Sequence, residues 1–242
     1  MQSARTAPVA SLLLLAACAA PNADEGPFDP TQSTEMVVLA DGQVISGRIE
    51  ARKITVPEGA TVRYAGDTTL HAEWICVHGD LLGTTPRADG PPEGVAPAEV
   101  QVEPGTLRLV AGREVHVAVG SELHGGDAPS MADWPDTFRG RAAAAGGSVV
   151  LDAPYILVDG QVVGGRGGYA APGGDGGKGG SVWFRDGVQT YNEGPESELV
   201  GGAGGMAGDK GPITVVDGVP VPAWEWGTPG PGGDVGPLAA DQ

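Results

Sequence analysis

The chain has 242 residues, 42 of them glycine and 21 proline, with 40 % hydrophobic residues and a formal net charge of −17. Glycine and proline stand at the level of low-complexity sequences, yet the apolar share and the alternating Val/Ile runs call for an ordered β core joined by long connections. With 31 acidic against 14 basic residues and no Lys/Arg cluster, the sign excludes a nucleic-acid partner, while the acidity favours solubility.

The first 17 residues carry one charge, Arg5, and an apolar run too short to span a bilayer as a mature helix. They end in Leu15-Ala16-Ala17-Cys18. An aliphatic residue, two small residues and a cysteine after a hydrophobic run resemble the lipobox of bacterial lipoproteins. The resemblance implies a signal peptide over 1–17, cleavage before Cys18, and lipid on its sulfur. Each buried methylene contributes about 0.8 kcal/mol of membrane affinity, so several acyl chains make a stable anchor. Ala19, where an aspartate favours inner-membrane retention in that family, points to the outer membrane. The competing reading is an ordinary secretory signal with a chance cysteine. Residues 18–35, with three prolines and little to bury, read as a disordered tether.

From residue 36 the sequence reads as short strands broken by Gly- and Pro-containing turns. The unit Thr69–Gly83 returns as Val150–Gly164, with Leu70/Leu151, Ile75/Ile156 and Val77/Val158 among six identities in fifteen positions. Mostly polar positions vary, as expected of strands with one packed and one wet face. A looser echo aligns Ile54–Gly66 with Val100–Gly112 and so matches Val62 to Leu107. Such units suit a solenoid in which no coil buries its face alone. At about 20 residues per coil the two best copies lie about four coils apart. Eight or so coils spaced about 4.8 Å would make a rod about 40 Å tall.

The rhythm resembles the right-handed parallel β-helices of bacterial surface proteins and polysaccharide-acting enzymes; a β-sandwich or jelly roll is the alternative. The β-solenoid domain is placed at 36–218. The best helix formers, Arg139–Ala145, are limited by flanking glycines, so no helix of note is expected. Residues 84–98 and 125–137 read as inserted loops.

Glycine-rich insertions fall at 164–180 and 201–211. They match neither a phosphate-binding loop, because Lys178 is followed by glycine, nor the Asp-containing calcium repeat. The leading reading is a flexible excursion between coils. Ordered polyglycine packing with a three-residue period, and a cation held by Asp175 and Asp209, are the alternatives. The Pro/Gly-rich tail at 219–242 is expected to be extended or disordered. In it Trp224 and Trp226 form a candidate sugar-stacking pair.

Cys76, flanked by Ile75 and Val77, reads as a half-buried free thiol. His71 and His78 with Asp67 and Asp80 lack metal-ligand spacing and read as solvent-facing polar positions. No catalytic or metal residue and no cofactor is assigned. The sequence therefore reads as a lipid-anchored cell-envelope protein, periplasmic or surface-exposed, with a structural, adhesive or glycan-binding role. Its partners are the membrane, through lipid at Cys18, and a cell-surface or extracellular polysaccharide. The alternative is a polysaccharide lyase or hydrolase, which needs clustered acids on one face.

Overall fold

The computed structural model describes residues 33–85, 104–133, 140–185, 190–193, 197–209, 213–216, 219–222 and 227–237. Among these residues there is no α-helix, and parallel strands dominate. They form three ladders that the chain visits in rotation.

The first ladder stacks 47–50 of β2 (Val44–Glu50), 68–72 of β4 (Thr61–Val77), 107–111 of β6 (Leu107–Val117), β8 (Val149–Asp152), β11 (Val182–Phe184) and β16 (Val235–Pro237). The second stacks β1 (Met36–Val38), β3 (Lys53–Val56), 74–77 of β4, 114–117 of β6, β9 (Tyr155–Val158) and β12 (Thr190–Glu193). The third stacks 44–45 of β2, 61–64 of β4, β5 (Asp80–Gly83), β7 (Glu122–His124), β10 (Gln161–Val163) and β13 (Glu198–Val200). A separate antiparallel hairpin joins β14 (Ile213–Val216) to β15 (Val219–Pro222). Single strands bend from one ladder to the next where glycine takes the left-handed conformation, as at Gly47 (φ 72°) and Gly66 (φ 63°).

Every second side chain along each ladder points into one shared core. In register these side chains form columns: Leu70–Leu109–Leu151, Ile54–Ile75–Val115–Ile156, Val56–Val77–Val117–Val158 and Val62–Leu81–Leu123–Val162. All are essentially inaccessible to solvent, and each such burial contributes about 1.5–3 kcal/mol. Leu70, Ile75 and Val77 thus share columns with Leu151, Ile156 and Val158, as the repeated unit implies. The two copies are two levels apart rather than four, because the connections from β5 to β6 and from β7 to β8 are each longer than 20 residues. Six strands per ladder among the described residues, spaced about 4.8 Å, make a stack about 24 Å high rather than about 40 Å. The looser echo does not hold in space: Val62 lies in the third ladder and Leu107 in the first.

Polar contacts hold the corners. Glu73, almost fully buried, accepts from Arg52 (3.4 Å) and Arg113 (2.7 Å). Both guanidinium groups also lie over the Trp74 ring, at 5.6 and 5.1 Å from its centroid. Aspartates cap the turns: Asp41 accepts from the Thr61 N–H, Asp67 from Thr106 and Asp80 from Glu122, at 2.9, 2.8 and 3.2 Å.

Candidate functional site

The glycine-rich segments leave the stack between the third and first ladders, and they are ordered. This corrects the reading of 164–180, and of 201–209 as the described part of 201–211, as flexible excursions and agrees with the alternative of ordered polyglycine packing; 126–131 of the inserted loop 125–137 packs with them. Segments 126–131, 164–173 and 201–209 run outward as a front set. Segments 140–147, 174–180 and 227–233 return as a back set.

Within the front set the bonds are parallel with a period of three. The N–H groups of Gly164, Gly167, Ala170 and Gly173 donate to the carbonyls of Val200, Ala203, Met206 and Asp209, at 2.8–3.1 Å. From the back segment 140–147, Ala143 and Gly146 donate in the same way to Asp175 and Lys178, and Gly140 donates to Pro172 at the end of the front segment. Between the sets the bonds are antiparallel. Gly165 and Gly168 donate to Gly147 and Ala144, Gly202, Gly205 and Gly208 to Gly180, Gly177 and Gly174, and Gly230 and Gly233 to Gly205 and Gly202.

A three-residue period without intrasegment bonds is the geometry of polyproline II, which only glycine permits at crowded axes. A Cβ at Gly177 would lie 1.8 Å from the Ala144 carbonyl oxygen, and one at Gly205 would lie 1.8 Å from that of Gly168. The remaining third of the positions faces solvent: Arg166, Tyr169, Asp175, Lys178, Ala203 and Met206 are exposed. Residues 141–145, the best helix formers in the chain, lie in this extended packing, where the Ala143 N–H donates to Asp175 and the Ala144 carbonyl accepts from Gly168. The tail also returns to the fold, with 227–233 in the back set and β16 in the first ladder.

At the outer end of these segments lies a mainly apolar cleft of about 400 Å³, bounded by Tyr169, Pro172, Met206, Ala207, Asp209 and Pro229. The Tyr169 hydroxyl donates to Met206 Sδ across its wall. Two polar hollows on the third ladder, one at Arg63, His124 and Asp127 and one at Asp80, Ser121 and Gln161, are walled partly by groups engaged in packing. Ser121 Oγ donates to the Val77 carbonyl, Asp80 accepts from Glu122, and Gln161 Nε2 donates to Glu198.

Cys18, Trp224 and Trp226 lie outside the described residues. Cys76 is half-buried in the second ladder. Desolvation pushes its thiol pKa up; Lys53 opposes this and Glu114 adds to it. A thiol held protonated is a poor nucleophile. The four residues weighed as a metal set are dispersed. Asp67 and Asp80 cap turns, the Nδ1 of His71 meets Arg48, and His78 stacks edge-on with His116, which approaches Asp159 at 3.3 Å. Asp175 accepts from both the N–H and the hydroxyl of Thr228, at 2.7 and 2.8 Å, and these bonds lower its pKa. Burial holds the Tyr64 phenol far above its ordinary range, and its hydroxyl donates to the His124 carbonyl at 3.3 Å.

Sequence reasoning named the insertion 201–211 and, as an alternative, its three-residue polyglycine packing, but missed the cleft beside it. The signal was the Gly-Gly-x phase of Gly201-Gly202-Ala203-Gly204-Gly205-Met206, which puts an apolar residue outward at every third position. Comparison of the chain with protein-family models, curated proteins and solved structures gives no match in any of the three.

Proposed function

We propose that this is an exported, lipid-anchored protein of the bacterial cell envelope with an adhesive or structural role. In this reading its body is a right-handed parallel β-helix, in keeping with the usual hand of crossovers between parallel strands, and its glycine layers form a display surface. Lipid on Cys18 moors the front end, and Ala19 directs the protein to the outer membrane. One observation carries the reading. Residue 36 enters at the first level of the stack, whereas the glycine segments emerge from the upper levels, next to β7, β10 and β13. A tether at one end and ordered surfaces toward the other suit presentation away from a membrane.

The enzymatic alternative asks for free acids grouped on one face. Asp41, Asp67, Asp80, Asp127 and Asp175 instead cap backbone N–H groups of adjacent segments. That favours a binding role over a lyase or hydrolase. Extracellular polysaccharide is the first partner to test, with Trp224 and Trp226 as the stacking pair.

Two measurements test the proposal. Cys18→Ser should move the protein from the membrane fraction to the soluble one; unchanged fractionation refutes the anchor. A glycan array scored for both retention and new reducing ends should show retention without cleavage. New reducing ends would establish the enzyme instead.

A further inference from the structure

Among the described residues the polyglycine packing stops at an edge whose outward hydrogen-bonding groups meet no described partner, and that edge specifies what can be added to it. In the front set the N–H of the residue after each outward position donates to the next segment: Gly164, Gly167, Ala170 and Gly173 all do so. The corresponding groups in the last front segment, Gly204 and Ala207, donate to no described group. Gly180 and Gly177 of the back set accept from the front segment that follows them; their counterparts in the last back segment, Gly233 and Gly230, accept from none of the described N–H groups. The edge thus offers two donors and two acceptors, each pair three residues apart, or about 9.3 Å at the polyproline II rise. The apolar cleft opens at its outer end, with Ala207 and Pro229 in its wall.

From this we infer that the edge formed by 201–209 and 227–233 is a binding site for an extended peptide with glycine at every third residue. The peptide's conformation is polyproline II, and it runs parallel to 201–209. The pattern inside the protein dictates the ligand. The residue that donates to Gly230 or Gly233 must be glycine, because a Cβ at the equivalent Gly202 and Gly205 would lie 1.9 and 1.8 Å from carbonyl oxygens of the segment below. The next residue supplies its carbonyl to Gly204 or Ala207 and points its side chain outward, as Ala203 and Met206 do. The third residue meets no further segment and needs no N–H, so proline fits and preorganises the chain. A basic outward residue suits a chain of net charge −17.

A second copy is the competing occupant: a two-fold axis across the segments would oppose N–H to N–H, and one along them would set 201–209 of one copy over 227–233 of the other, but it would join two chains that each carry a net charge of −17. A copy continued upward by translation would seat its own 126–131 segment here, but three strand levels lie beneath that segment in the stack and would overlap the ladders of the first copy. This site stands whether or not Cys18 carries lipid.

The test is titration of the full-length chain with two synthetic dodecapeptides, one repeating Gly-Arg-Pro and one repeating Ala-Arg-Pro. They match in charge and in proline content. Saturable binding of the first, at least tenfold tighter than the second, is expected. Equal affinity would leave only charge attraction and overturn the site. Ala207→Pro removes one donor that the folded chain does not use, so it should weaken binding of the glycine peptide at least tenfold with an unchanged unfolding midpoint. Undiminished binding by this variant overturns the site, as does self-association that the variant abolishes, which would assign the edge to a second copy. If Ala207→Pro does not fold, the amide resonances of Gly204 and Ala207 in the unmodified protein decide: they must shift on titration, and their constancy refutes the proposal.

Discussion

The ladders and the glycine layers are both stacks of extended segments, yet opposite features hold them together. In the ladders the stabilising term is side-chain burial, with columns such as Leu70–Leu109–Leu151 excluded from solvent. In the glycine layers few side chains are buried among the described segments, and those are small or isolated: Pro129, Met131, Ala144, Ala170 and Ala171. There the backbones approach until most inner N–H groups meet a carbonyl on an adjacent segment. The lesson is that a chain without aliphatic residues can still order a layer, provided it omits Cβ atoms at the contacts. Its weak point is then an added methyl group, whereas the weak point of the ladders is a removed one.

The largest effect is expected where that contrast is sharpest. Gly177→Ala puts a Cβ 1.8 Å from a backbone oxygen with segments on both sides, and backbone does not yield as a side chain does. The expected loss is on the order of 4 kcal/mol or more, in the range reserved for exceptional substitutions. Gly232→Ala, whose Cβ would find nothing nearer than 3.7 Å, should be neutral within about 0.5 kcal/mol. Urea unfolding of both variants checks the pair; equal effects would mean that the close approach carries no stability. In the ladders the same method should show Leu109→Ala costing about 2–5 kcal/mol, through lost burial and the cavity left between Leu70 and Leu151. A cost below about 1 kcal/mol would show that the column collapses around the gap, unlike a close-packed core.

The ladders were the legible part of this chain, because alternation of Val, Leu and Ile with polar residues has a period of two that no other structure shares. Even so, spacing misled. The copies at Leu70 and Leu151 read as four coils apart because nothing in the sequence places 126–131 and 140–147 outside the ladders, and Val62 resembles Leu107 because all three faces use the same aliphatic grammar. The glycine layers were harder to read for a physical reason. Gly-Gly-x is equally the composition of a flexible linker, and what decides between the two is a neighbouring segment. Some neighbours carry little glycine: 127–131 is Asp-Ala-Pro-Ser-Met and 141–145 is Arg-Ala-Ala-Ala-Ala. The first supplies partners for Arg166 and Tyr169 and the second for Gly168 and Asp175, and nothing in their own sequence marks them for it. The candidate cleft shares this origin, since Tyr169, Met206 and Pro229 come from three segments that only the packing brings together.

The smallest effect concerns the aspartates, which join the two regions by one shared device: a carboxylate capping an N–H on the next segment, at Asp67 in the ladders and at Asp175 in the glycine layers. At Asp175 the Thr228 N–H and then the Thr228 hydroxyl favour the ionised form and lower the pKa. A lowered folded-state pKa stabilises the fold above the unfolded value of about 3.9, and that contribution disappears as the pH falls through the folded value. Asp175→Asn retains a carbonyl acceptor for Thr228 but not the charge. The variant should therefore unfold at slightly lower urea than the natural chain at neutral pH, and the difference should shrink toward zero below about pH 3. A gap that persists in acid would show that the asparagine is misplaced rather than merely uncharged. No gap at neutral pH would show that the charge at this exposed cap contributes nothing, leaving neutral backbone bonds as what orders the glycine layers.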